Sequence, residues 1–269
     1  MRAMVRAIPV SFFGAAMGMT GLALASRMAV AVLSWPAWWA DLLAVTALVA
    51  YLCICGAYLL KVLHHRDAVC AELRDPSQLG FLGAAAIATS LAAGCLIPYA
   101  PAIARGLWGC SAVMMLSVQV FALSRWFAGG IELAQVNTGW MLAFIGPIPV
   151  VGPGIALGEL EIARLLFGAG FVGMPLVIGL VFYRTVVGPP LPPGLRPLSF
   201  IFIVPFALVY AYAPVLWDVP YSAVFESALL FAIVIALALT VQARDIASWP
   251  FTPAWWALPF RWTRSLWGC

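Results

Sequence analysis

Two adjacent histidines, His64 and His65, sit in the most polar stretch of the chain, which runs on through Arg66, Asp67, Glu72, Arg74 and Asp75. Imidazole is the commonest metal ligand and a ready proton shuttle. Neighbouring side chains on a helix point ~100° apart, however, so this pair cannot hold one metal or one haem from opposite faces. The two histidines read as a solvated pair at a membrane surface. His65-Arg66-Asp67 matches the triplet of a kinase catalytic loop, but nothing else of a kinase is present.

Carboxylates offer little more. Glu159 and Glu161 lie two apart at a predicted helix start, where they diverge and where acids favour the first turn. Glu226 is the one carboxyl inside a hydrophobic run. Ionisable groups at membrane depth are functional by default, so it is a candidate functional carboxyl. It stands only about two turns into its run, within reach of the interface. Six cysteines, Cys53, Cys55, Cys70, Cys95, Cys110 and Cys269, are read as small packing residues. Cys53 and Cys55 are spaced too tightly for a zinc knuckle. No metal, disulfide or cofactor is assigned. Two histidines on a surface loop complete no Ser-His-Asp or Cys-His set, and no zinc-helix motif or nucleotide loop appears. Pro147 to Gly154 is rich in glycine and proline but has no lysine. The chain does not read as an enzyme.

The elements that position these residues are set by composition. Of 269 residues, 65% are hydrophobic and 9% charged, and the mean hydropathy is +1.05. A soluble domain carries about 25% charged residues. These values exclude a soluble globule, a disordered chain and a disulfide-stapled module. A membrane span takes ~20 apolar residues, so nine spans use ~180 and leave ~90 for short connections. The excess of 14 Lys+Arg over 10 Asp+Glu is too mild to point to nucleic acid. Residues 1–269 read as a single transmembrane domain, an all-α polytopic membrane protein.

Nine apolar runs follow: Ile8 to Ser26, Leu42 to Leu60, Leu79 to Tyr99, Leu107 to Ser124, Gly139 to Gly158, Leu165 to Tyr183, Leu198 to Trp217, Val219 to Gln242, and a ninth from Thr252. The first is read as a retained helix rather than a leader peptide. Arg27 and a short amphipathic stretch with Trp35, Trp38 and Trp39 follow it, and indoles favour the headgroup level. A stiff Pro-rich link, Gly188 to Gly194, separates runs six and seven. With the N-terminus inside, the inner side holds Arg2, Arg6, Lys61, Arg66, Arg74, Arg125, Arg184, Arg196 and Arg244. The outer side holds Arg27, Arg105 and Arg164. Nine against three predicts a cytoplasmic N-terminus.

Proline is unevenly spread. Odd runs hold Pro9, Pro98, Pro147, Pro149, Pro153, Pro205, Pro214 and Pro259, with many glycines; runs two and four hold none, and run eight only Pro220 at its start. Run six, with Pro175, breaks the trend. An interior proline is tolerated in a membrane helix where neighbours or a watery cavity satisfy the freed carbonyls. The odd runs are therefore expected to line an interior and the even runs to face lipid, as a helical hairpin used five times with the fifth incomplete.

Several stretches resemble the tellurite-resistance/dicarboxylate transporter family, which includes the slow-type plant anion channels. They are Pro9 to Gly14 with Met17-Gly18; Pro147 to Gly152; Phe167 to Gly170 with Tyr183-Arg184, the Pro-rich link, Leu195-Arg196-Pro197 and the Pro205 region; and Trp255 to Phe260. The resemblance covers most of the chain. It implies ten helices in five hairpins around a central pore, odd helices inner and even helices outer, in a homotrimer with one pore per subunit. About nine of the ten helices are expected here, the ninth cut short. The family's pore-plugging phenylalanine falls on Phe260, where a bulky apolar ring gates by steric block and dewetting.

The pore-lining candidates are Ser11, Phe12, Gly14, Gly18, Thr20, Thr89, Ser90, Pro98, Pro147, Pro149, Pro153, Ser199, Pro205 and Thr252. Moving a bare ion into low dielectric costs on the order of 20 kcal/mol in the idealised limit, so kinked-helix amides and hydroxyls must replace some hydration water. Without a strong site, easily dehydrated anions pass best, nitrate above chloride. The expected function is a passive anion channel in the plasma or inner membrane, its partners being lipid and small inorganic or organic anions. The alternative is a proton-coupled carrier of C4-dicarboxylates, tellurite or sulfite. A carrier needs a titrating group near the path, and the odd runs offer none. A membrane scaffold without conduction is the third reading, because small-residue stripes also serve plain helix packing.

Overall fold

Hydrophobic runs this long can satisfy their backbone in lipid only as helices, and helices are what form. A computed structural model describes residues 5–242 together with Thr252 and Trp255. Among these it contains ten α-helices and no strand: α1 Phe13–Leu33, α2 Ala37–His64, α3 Arg66–Arg74, α4 Leu79–Leu96, α5 Pro101–Ala128, α6 Trp140–Phe144, α7 Pro147–Ala156, α8 Leu160–Val187, α9 Val204–Trp217 and α10 Ala223–Gln242. Tight 3-10 segments, Val10–Phe12 and Pro193–Ile203, lead into α1 and α9. Seven stretches are long and apolar enough to cross a membrane, and Pro147–Ala156 is a shorter apolar helix. The chain is a multi-pass membrane protein. Of the ninth run only Thr252 and Trp255 are described.

Consecutive spans pair as hairpins, α1 with α2, α4 with α5, α7 with α8 and α9 with α10. The first members then pack on one another in the order α1, α4, α6–α7, α9, while each second member stands outside its own partner. The division shows in burial: 78% of the α4 window lies inside the protein, against 6% of the α10 window. Close approach is made possible by glycine. A Cβ on Gly80 would overlap the Gly139 carbonyl, and one on Gly83 the Leu142 carbonyl, so α4 meets the backbone of α6 directly. Gly154 lies under the Trp108 ring and Gly170 on Ile148 in the same way.

Five boundaries differ from the sequence reading. The fifth run is not one helix but two, α6 and α7, broken at Ile145-Gly146. Pro147 and Pro149 have no N–H to give the carbonyls of Ala143 and Ile145, so the α-helical ladder stops there; Ile148 N–H turns to Ile145 O instead, at 2.9 Å. The seventh run starts as a 3-10 segment, held so by Pro193 and Pro197. Arg27 lies within α1, not after it, and Trp38 and Trp39 open α2 rather than a separate surface stretch. The eighth run begins its helix at Ala223, four residues later than its hydropathy does.

Candidate functional site

The inner series brings the sequence candidates together on α1, α4, α7 and α9. Pro9 caps the Val10–Phe12 segment, which turns the chain into α1 with Ser11 half-buried and Phe12 exposed. Gly14 and Thr20 are buried and Gly18 half-buried. The Thr20 hydroxyl donates to Ala16 O at 2.7 Å, bonding back onto its own helix. Thr89 does the same with Ala85 O at 2.8 Å and accepts from Tyr51 OH at 2.9 Å. Ser90, fully buried, reaches Val150 O at 3.5 Å, the carbonyl that also accepts from Trp108 Nε1 at 2.8 Å. Pro147 and Pro153 are buried and Pro149 half-buried in α7. Pro153 deprives the Pro149 carbonyl of its helical donor. At the break itself, Gln119 on α5 donates to Phe144 O at 3.0 Å. Tyr212 of α9 closes over Gly152.

Other candidates lie at the ends of this series. Pro98 is exposed in the turn between α4 and α5. Ser199 is half-buried in the 3-10 segment and Pro205 buried in the first turn of α9. The Thr252 hydroxyl donates to Gly194 O at 2.7 Å, seating it on the Pro-rich link. Phe260 lies outside the described residues. Glu226 is exposed in the first turn of α10. The later helix start puts it at a helix N-terminus, where a carboxylate is favoured, rather than two turns into the hydrocarbon.

The five inner helices carry a single charge, Arg27, close to the end of α1. Around it, Tyr99 OH donates to the Asp41 carboxylate, and the Arg27 guanidinium lies 5.3 Å from the Tyr99 ring centre. That hydrogen bond to a carboxylate holds the Tyr99 phenol above its ordinary range. On the same face Arg105 pairs with Glu159 at 2.8 Å, so this acid, at the N-cap position of α8 but without a capping hydrogen bond, is an ion-pair partner. Glu161, on the first turn of α8, pairs with Arg164.

The opposite, more basic face holds a network that hydropathy does not disclose. Lys61 is 2% exposed. Its Nζ donates to Glu72 Oε1 at 2.7 Å and to the Ile8 carbonyl at 2.7 Å. Tyr58 OH donates to Glu72 Oε2 at 3.0 Å. The pair ties α2 and the surface helix α3 to the chain just before α1. A lysine closing an apolar run reads as a snorkelling cation. Only the Glu72 eleven residues later, across the turn at His65, hints at a partner. His64 ends α2 and His65 caps it. Cys53, Cys55, Cys70, Cys95 and Cys110 are free thiols. No group of three or more His, Cys, Asp or Glu side chains converges among the described residues.

A hairpin array whose inner helices carry one charge and are broken by proline has the layout of a transmembrane path. The family model for the voltage-dependent anion channel matches residues 7–263. The chain belongs to this family. It is thus an anion channel or transporter in general class, and the family's work is transport rather than catalysis. No curated protein matches the chain. The anion channel family match spans every described helix, from α1 to α10.

Proposed function

We propose that the inner series lines a passive path for small anions, nitrate ahead of chloride, in the plasma or inner membrane with the N-terminus cytoplasmic. The observation that carries this reading is the near absence of fixed charge on the inner helices, together with their breaks. An anion crossing there meets no deep electrostatic trap, so it can enter and also leave. Phe260 is the proposed gate and a homotrimer with one path per subunit the proposed assembly, both by analogy with the family.

A proton-coupled carrier of dicarboxylate, tellurite or sulfite needs a titrating group beside the path. Glu226, exposed on an outer helix, is not placed for that role. The test is flux into liposomes holding the purified full chain, comparing nitrate, chloride and malate with and without a pH gradient. Voltage-driven nitrate and chloride flux that ignores the gradient is the expected result. Malate uptake that requires the gradient would replace the channel by the carrier.

A further inference from the structure

A cavity of about 370 Å³ opens between the end of α5, the start of α6 and α8. Trp126, Trp140, Val136 and Leu180 line it, and Gly129 and Gly130 form one wall. Both glycines have positive φ, 71° and 75°, and neither has an atom within 4 Å of where its Cβ would stand. The loop thus leaves α5 without putting a side chain across the opening.

One lining residue, and two residues next in the chain or one helical turn from lining residues, carry buried polar atoms without partners among the described residues. Trp126 lines it, with its ring stacked 4.1 Å from Phe144, and its buried Nε1 donates to nothing among the described residues. Thr138, between the lining residues Val136 and Trp140, is 1% exposed and its Oγ1 is likewise unpartnered. Arg184 stands one helical turn beyond Leu180. It is the last member of the buried stripe of α8 that includes Met174, Val177 and Val181, so it faces into the bundle. Arg184 is 3% exposed, its Nε is buried without an acceptor, and no carboxylate pairs with it among the described residues. The C-terminal carbonyls of α8 favour a cation here, yet they give its Nε no acceptor. Glu132, the acid in the adjoining loop, is turned into a capping box with Gln135.

A buried guanidinium with no free acid beside it among the described residues is the chemistry of an anion site, because buried charges are kept only when paired. We infer that this corner binds an oxyanion, held by Arg184 with the Trp126 indole N–H and the Thr138 hydroxyl as neutral donors. The oxyanion is either the phosphodiester of a lipid in the adjacent leaflet or a small anion from solution. The inference does not depend on conduction.

Two arms distinguish the sources, each with the full chain in detergent. One follows the thermal unfolding midpoint as nitrate is added. The other counts phosphatidylglycerol against phosphatidylcholine retained in native mass spectrometry. The wild type should respond in at least one arm. Arg184→Gln should weaken that response about 10-fold or more, as loss of a charged hydrogen bond does, and Trp126→Phe, which leaves a single aromatic ring and removes the N–H together with the pyrrole half of the indole, about 3-fold. If Arg184→Gln does not fold, Trp126→Phe alone decides. No response in the wild type, or an equal response in the variants that fold, would overturn the site. Nitrate flux measured after the same preparations are reconstituted into liposomes tells failure of this site from failure of the conduction path.

Discussion

The helices α4 and α10 are both uncharged enough to cross a membrane, yet one is almost wholly enclosed and the other almost wholly exposed. The exposed helix is the more hydrophobic of the two. In lipid, greasiness does not drive a helix inward, because the bilayer is as apolar as leucine. What draws α4 to the centre is its run of glycine and alanine, which lets its backbone touch that of α6. Bulky aliphatic residues on α10 fill space against lipid and need no partner.

Substitution at the contacts of α4 should break this contrast most severely. Gly83→Leu drives a side chain into the Leu142 carbonyl, and overpacking of this kind costs about 1–3 kcal/mol or more. Loss of monodisperse protein on detergent gel filtration is expected. Gly56→Ala on the outer helix α2 meets nothing within 4 Å and should change stability by less than about 1 kcal/mol. If both behaved alike, the inner–outer distinction would fail.

The second effect compares two ion pairs. Removing one partner of a buried pair leaves an uncompensated charge and costs about 3–5 kcal/mol. Lys61→Met or Glu72→Gln should therefore lower the thermal midpoint strongly, whereas the double variant should recover much of it. The exposed Arg6–Asp67 pair, 2.7 Å apart, is screened by solvent, and Asp67→Asn should cost no more than about 1 kcal/mol. Third is the support of the broken helix. Trp108→Phe removes the donor on Val150 O and should cost about 1–3 kcal/mol, read by thermal unfolding. The smallest effect belongs to Tyr99. Its phenol is raised above the ordinary value of 10.0, so its bond to Asp41 is complete below that pH and is lost as pH climbs through the raised value. The small loss of stability in Tyr99→Phe should accordingly be visible at pH 7 and fade in strong alkali.

Much of this architecture was legible in the sequence, for identifiable reasons. Proline and glycine mark the helices that pack tightly, so the alternation of odd and even runs foretold the inner series. The break inside Gly139 to Gly158 was not legible as such, since hydropathy runs through it unbroken; Pro147 and Pro149 were seen, but not their joint effect on the carbonyls of Ala143 and Ile145. Glu226 was misplaced because Val219 to Ser222 is apolar without being helical. The Lys61–Glu72–Ile8 network was missed because it joins three segments that no local pattern connects. Among the proposed lining groups, the hydroxyls of Thr20, Thr89 and Ser90 were identifiable by type, but their hydrogen-bond partners are settled only by packing.

The most direct measurement is voltage-driven nitrate flux into liposomes carrying the full chain, alongside the Phe260→Ala variant. The account predicts nitrate flux without a pH gradient, larger than chloride flux, and larger again in the variant. An absence of flux from monodisperse protein, or flux that appears only with a proton gradient, would contradict it.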